Sequence, residues 1–220
     1  MPGRHTVIAI DGPAASGKSS VARELARRLG FLYVNSGAMY RAVTWHILQN
    51  GINPRDRTAV ERKISESSIV CDLNEGDARI LIDGVDPAAH LRDDKVNRNV
   101  SLVSSFPPVR EVLVEKMRTY AADYDLVMEG RDIGSVVFPE TPFKFYIDAS
   151  PEIRSQRRAA QGQRDEIAIR DLADSSRSTS PLIIAKDAVV IDTSTLTIPQ
   201  VVDEIVSRLR SKGLQIQSRS

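Results

Sequence analysis

Lys18 and Ser19 close an eight-residue stretch, GPAASGKS, that runs from Gly12 to Ser19. An apolar run, TVIAID (Thr6 to Asp11), precedes it, and a helical pattern, SSVARELARRLG, follows it. Strand, glycine loop and helix in that order form a phosphate-binding loop. Gly12 and Gly17 let the backbone wrap tightly, so that several N–H groups converge on one anion. The helix beginning near Lys18 adds its free amides and its positive dipole end. Lys18 supplies a mobile point charge for the outer phosphates, and the Ser19 hydroxyl suits Mg²⁺. Pro13, Ala14, Ala15 and Ser16 complete the loop and Ser20 follows it. The spacing predicts a nucleoside triphosphate site over Gly12 to Ser20. A glycine turn that binds nothing would account for the glycines but not for the Lys-Ser pair.

A second set of chemistry-bearing residues lies in RDLADSSRSTSP, where Arg170, Asp174 and Arg177 are spaced by four and three. On a helix all three share one face. A solvated ion-pair face would have the same spacing. The surrounding stretch, about 161–181, is polar and poor in core-forming residues, and such segments inside compact domains are usually functional. Beside a phosphate loop, an arginine-rich flap can exclude water and neutralise charge developing on a phosphoryl group. A third set, Arg131-Asp132, follows the apolar run DLVMEG, where a parallel sheet presents its strand ends to ligands. A local ion pair in a strand-end turn is the alternative there.

The elements that must position these residues alternate along the chain. Strands are predicted at TVIAID, at Phe31 to Gly37 (ending in a polar turn), at Asp125 to Gly130, at Phe143 to Ser150 and at Asp187 to Ser194. Helices are predicted at Ala38 to Gly51, Thr58 to Ser67, Pro108 to Ala122, from Pro151, and at Ile198 to Gly213. Met39, Val43, Trp45 and Ile47 are the expected apolar face of the first of these. This order implies an α/β fold, a parallel sheet covered by helices on both faces. The alternating segment Ile69 to Pro87 reads instead as a β-hairpin, turning at Asn74 to Asp77 and again at Asp83-Gly84. It is out of place in a plain βαβ series and marks an inserted lobe. The tail from Gly213 is expected to fray.

Composition bounds the possibilities. At 220 residues the chain can bury one sizeable core. A net charge of +1 gives no field favouring nucleic acid or an anionic membrane. The single cysteine, Cys71, excludes an internal disulfide and a zinc cluster, and it is expected to pack. His5, His46 and His90 have no partners at metal spacing. No signal peptide or membrane-length apolar run is recognised, so a cytoplasmic protein is expected.

Taken in order, IDGPAASGKS, NSGAMYRA (Asn35 to Ala42), NVSLVSSFPPVREVL (Asn99 to Leu113), EGRDIGSVVFP (Glu129 to Pro139), RDLADSSRSTSPL (Arg170 to Leu182) and DAVVIDTS resemble the bacterial cytidylate kinases, a branch of the nucleoside monophosphate kinases. The resemblance runs from Val7 to about Arg208. It implies a P-loop fold with an inserted monophosphate-binding lobe (about 37–110), a short lid (about 159–181) and a core of about 1–36, 111–158 and 182–220. It implies transfer of the ATP γ-phosphoryl group to CMP or dCMP with Mg²⁺, by a protein expected to be monomeric. Ser36, Tyr40 and Arg41 match the pocket near the sugar and α-phosphate, and Ser101, Arg110 and Asp132 match residues that read cytosine. Arg131 matches a phosphate-binding arginine. Arg170 and Asp174 look like ribose contacts and Arg177 a phosphate contact. Lys18, Arg131, Arg170 and Arg177 are expected around the transferred group, and Arg157 or Arg158 at the adenine. The stretch between Arg158 and Arg170 departs from the family pattern in being shorter than in many relatives.

The cytosine assignment has a physical basis. Cytosine offers O2 and N3 as acceptors and N4 as a donor, so an arginine and a carboxylate complement it. Uracil reverses N3 and position 4, and each mismatch leaves buried polar groups unpaired at about 1–3 kcal/mol. Two other readings stay open on the sequence: a kinase of the same fold acting on UMP, AMP or shikimate, and a nucleotide-dependent switch. No NKxD-like guanine motif supports the switch.

Overall fold

The structure is a computed structural model and describes residues 5–74, 77–160, 171–172, 174–175 and 180–216. It divides into two compact units, one of Met1–Tyr33 with Tyr124–Ser220 and one of Val34–Asp123.

The first unit is built on parallel strands. β1 (Val7–Asp11) lies between β5 (Leu126–Gly130) and β6 (Phe143–Asp148), and β6 pairs in turn with β7 (Val189–Asp192). β5 is buried along its whole length and β1 from Ile8 onward, as expected of central strands covered on both faces. On one face, Ile8, Ile10, Phe145, Ile147 and Ile191 meet α1 (Lys18–Leu29) and the closing helix α7 (Ile198–Ser211). Val21, Ala22, Leu25 and Ala26 form the buried stripe of α1, and Val201, Val202, Ile205 and Leu209 that of α7. Gly30 ends α1 in the left-handed conformation, and the Phe31 amide returns to the Ala26 carbonyl. Thr197 and Gln200 close the start of α7 in a reciprocal capping box. The remaining helix of this unit is α6 (Pro151–Ala160). In the described part of the tail, Leu214 and Ile216 pack against the core instead of fraying, and the Leu214 amide donates to Leu209 O.

In the second unit, β3 (Ile69–Asn74) and β4 (Asp77–Ile82) form the expected hairpin, in register from Ile69 opposite Ile82 to Asn74 opposite Asp77. Around it lie α2 (Ser36–Gln49), α3 (Arg57–Glu66), α4 (Asp94–Val103) and α5 (Pro107–Asp123). The Tyr120 hydroxyl of α5 sits 2.7 Å from Arg79 O and 3.2 Å from Asp72 O, tying the helix to both strands. β2 (Leu32–Asn35) carries the chain from the first unit into the second.

Three local expectations change. The polar turn after β2 is instead the start of α2, because the Asn35 side chain accepts from the Ala38 amide and caps the helix at once. α4 was not anticipated, although Val96, Val100 and Val103 repeat at helical spacing and are its buried face. Trp45 is half-buried rather than core. Its ring stacks on His90 at 5.7 Å, while Met39, Tyr40, Ala42, Val43, Thr44, His46 and Ile47 carry the burial of α2.

Candidate active site

The phosphate loop has the backbone its sequence predicts. Gly17 is left-handed (φ 91°) and caps α1 without a side-chain hydrogen bond, leaving the first-turn amides for an anion. At Gly12 a Cβ would come 2.1 Å from the Ile147 carbonyl oxygen, so only glycine lets the loop pass the end of β6. Ala15 also has positive φ, 59°. Pro13 and Ala14 are buried, and Ser16 is fully buried with its hydroxyl unpartnered. Lys18, expected as a mobile charge, is instead buried: its Nζ donates to Pro13 O at 3.0 Å and lies 4.0 Å from the Glu129 carboxylate. Ser19 and Ser20 are exposed on the first turn of α1.

A clamp that the sequence reading missed holds this loop from behind. Arg154 on α6 is buried, donates to Ala149 O and Ala14 O, and pairs with Asp171. Arg157 donates to Ser16 O (3.1 Å), Thr193 Oγ1 (3.1 Å) and Thr193 O (2.8 Å), and Thr193 Oγ1 lies 2.8 Å from Ser16 O. Arg157, one of the two arginines expected near an adenine, fastens the phosphate loop to the end of β7. Arg158 is half-buried on the same helix. The signal for the clamp was present, since Arg154 and Arg157 are one turn apart on α6. Their carbonyl partners are backbone, which leaves no mark in a side-chain pattern.

The strand register brings the second set beside the first. Asp11 pairs with Gly130, so Gly12 and Arg131 leave neighbouring parallel strands side by side. Arg131 donates from Nε to Asp174 Oδ2 at 2.7 Å, and Asp174 and Asp132 are both buried. The turn after Asp132 is a single π-helical turn, Ile133–Val137, closed by Val137 N–H on Asp132 O (3.1 Å). Asp11, at the end of β1, accepts from the Ile133 and Gly134 amides, each at 2.8 Å. Burial is the main cause that pushes its carboxyl up to about 7. Asp132 adds to the rise, and the two amides and Arg131 oppose it. Glu129, also not singled out from sequence, is buried within 3.3 Å of the Tyr33 hydroxyl.

In the second unit, Ser36 opens α2 and is buried, as is Tyr40 one turn on. Arg41 Nη1 bonds Asn97 Oδ1 of α4. Arg110, on the first turns of α5, is buried, donates to Ser104 O at 3.2 Å and lies over the Tyr40 ring at 5.3 Å. Ser101 is half-buried on α4. Arg170 and Arg177 lie outside the described residues, so their expected place on one face with Asp174 falls there too.

The histidines hold to structural places. His46 is buried 2.9 Å from Ser67 Oγ, and burial lowers its pKa; His90 is exposed and bonds Asp93. Among the described residues, no three His, Cys, Asp or Glu side chains group as metal ligands, and no helix is long and apolar enough to cross a membrane.

A glycine loop at the C-terminal end of a parallel strand, a buried lysine within it and an arginine-aspartate pair just past the end of the adjoining strand define a P-loop nucleotide-binding protein. A family model described as cytidylate kinase matches residues 8–211. The chain is 41% identical over 215 residues to the cytidylate kinase of Streptomyces avermitilis, covering 94% of this chain and 93% of that one. It is 44% identical over 219 residues to the cytidylate kinase of Mycobacterium avium (94% and 96% covered) and 42% over 225 residues to that of Corynebacterium diphtheriae (97% and 98%). The chain belongs to the cytidylate kinase family.

Proposed function

We infer that this protein transfers the γ-phosphoryl group of ATP to CMP or dCMP, giving ADP and CDP or dCDP. Family membership supports the reaction. The observation that carries the site is the Asp11–Gly130 register, which sets the phosphate loop beside Arg131-Asp132.

The chemistry asks for alignment and charge neutralisation rather than covalent help. A phosphate oxygen of CMP attacks the γ-phosphorus, and the bond to the β,γ-bridging oxygen breaks, so ADP leaves with that electron pair. No general base is needed, because the attacking oxygen already carries charge. Gly12 to Ser20 bind the triphosphate through loop and helix amides. Lys18 exchanges its Pro13 carbonyl for β- and γ-phosphate oxygens. Arg131 neutralises charge between donor and acceptor, and Arg170 and Arg177 are proposed to do so from the lid.

Asp132 accepts from cytosine N4, and Arg110 donates to O2 and N3. Ser36, Tyr40, Arg41 and Ser101 complete the proposed CMP set, with Asp174 at the ribose and Arg158 near ATP. The exposed Ser19 hydroxyl on the first turn of α1 is the kind of hard oxygen donor that suits Mg²⁺ alongside nucleotide oxygens. That ion would supply further charge neutralisation on the phosphates. We propose one catalytic domain, with a core of about 1–36, 111–158 and 182–220, a monophosphate-binding lobe of about 37–110 and a lid of about 159–181. A cytoplasmic monomer without nucleic-acid or membrane partners completes the reading.

The test is coupled ADP release with ATP and Mg²⁺, offering CMP, dCMP, UMP, AMP and GMP in parallel. Turnover confined mainly to CMP and dCMP is expected. Turnover spread evenly over the acceptors would discard the Arg110 and Asp132 assignments, and no acceptor-stimulated turnover would discard the kinase reading.

A further inference from the structure

Asp11 belongs to no part of the phosphate-binding chemistry, yet it is the last strand residue before the loop, 4% exposed and acidic. A buried carboxylate is costly unless its oxygens are used. Both of its oxygens are used, and by the same element. Oδ1 accepts from the Ile133 amide and Oδ2 from the Gly134 amide, each at 2.8 Å. Among the described residues it accepts nothing from the phosphate loop that follows it in sequence. These amides belong to the π turn immediately after Arg131-Asp132, and that turn is pressed onto the carboxylate. A Cβ at Gly134 would stand 3.4 Å from Asp11 Oδ2 and 3.2 Å from the Lys144 Cγ and Cδ on the other side.

We infer that Asp11 is a positioning residue: its two-point grip on the turn sets the direction of the Asp132 carboxylate and Arg131 guanidinium, and so the recognition of the cytosine nucleotide. This rests on the assignment of Asp132 and Arg131 to the acceptor nucleotide. A single acceptor would leave the turn free to pivot about one bond, whereas two acceptors on successive amides fix both its distance and its tilt. The side chain touches no reacting atom and acts only through residues 131 to 134.

The test compares the wild-type protein with Asp11→Asn above the carboxyl's raised pKa, measuring KM for CMP, KM for ATP, kcat and the CMP-over-UMP ratio of kcat/KM. The amide keeps the shape but turns an NH₂ toward one backbone N–H, so one of the two bonds is lost. The expected result is a rise in KM for CMP of roughly tenfold or more and a CMP-over-UMP ratio reduced about as much, with KM for ATP changed by less than about threefold. A merely structural role would lower kcat in proportion to folded protein and leave the base ratio alone. That result, or a KM for ATP that rises with the CMP value unchanged, would overturn the inference. If Asp11→Asn does not fold, Asp11→Glu is measured instead. It keeps the charge but its extra methylene moves the two acceptor oxygens off the Ile133 and Gly134 amides, and the same shift in the base ratio is expected, with an unchanged ratio overturning the inference. A wild-type protein with no CMP-stimulated ADP formation would instead overturn the functional assignment, and this inference with it.

Discussion

Arg131 and Asp174 are joined by an Nε–Oδ2 hydrogen bond of 2.7 Å, with the Asp174 side chain 3% exposed and that of Arg131 19%. The pair connects the end of β5 to a residue that is 43 positions away and was expected at the ribose. The carboxylate engages the guanidinium that the proposed mechanism assigns to phosphate. In that mechanism a substrate phosphate would take the place of the carboxylate on Arg131, and the carboxylate would turn to the ribose hydroxyls.

Asp174→Ala removes both the bond to Arg131 and the proposed ribose contact. A charge-assisted hydrogen bond contributes about 1.5–3 kcal/mol, so kcat/KM for CMP is expected to fall about 10- to 100-fold. Steady-state kinetics at fixed ATP measure this; an unchanged kcat/KM would remove Asp174 from the acceptor site.

Lys18→Ala is expected to lower kcat roughly 100- to 1000-fold at saturating substrates, the scale of losing one preorganised charge on a developing anion. Far-UV circular dichroism and a cooperative melt should persist, with the melt lowered because the buried Glu129 carboxylate loses the ammonium 4.0 Å away. Turnover near wild type would take Lys18 out of the transition state.

Arg154→Ala tests the clamp behind the phosphate loop. It frees the Ala14 and Ala149 carbonyls and the Asp171 carboxylate together. The expected outcome is a rise in KM for ATP with KM for CMP little changed, and a loss of about 1–3 kcal/mol in denaturant unfolding. A stability loss without any change in KM for ATP would confine Arg154 to structure.

Asp132→Asn addresses base choice. The amide can present either an acceptor oxygen or a donor NH₂ where the carboxylate only accepts, so cytosine N4 keeps a weaker, uncharged acceptor while O4 of uracil gains a donor. The CMP-over-UMP ratio should fall about 10- to 100-fold, the equivalent of one or two unpaired polar groups. An unchanged ratio would remove Asp132 from base recognition.

Asp11 makes stability depend on pH in a definite direction. Burial raises its carboxyl from 3.8 to about 7 in the folded protein, so the native state holds the proton more tightly than the unfolded chain. The stabilisation is fully present below the unfolded pKa and is lost as pH rises through the folded one. The wild-type melting temperature, measured relative to Asp11→Asn, should therefore increase from about pH 8 to about pH 5. A flat difference would mean that the carboxyl keeps an ordinary pKa.

Much of the candidate site was legible because a phosphate loop is local in sequence. Gly12, Gly17, Lys18 and Ser19 lie on one loop and one helix terminus after one strand, so their spacing alone marks the motif. The parallel strands and the β3–β4 hairpin were legible for a similar reason: burial on two faces writes continuous apolar runs, and a half-buried hairpin writes alternation. The sequence also set the order of elements, and the motif series set the family.

What needed tertiary structure was everything that depends on strand order and on backbone partners. No spacing reveals that β1 lies between β5 and β6, which is what puts Gly12 beside Arg131. No side-chain pattern shows that Arg154 and Arg157 bond carbonyls of the phosphate loop, that Lys18 rests on Pro13 O, or that Asp11 grips amides more than a hundred residues away. A backbone amide or carbonyl is the same at every residue, so sequence cannot say which one a buried charge will find. Only the packed chain brings the two within hydrogen-bond distance.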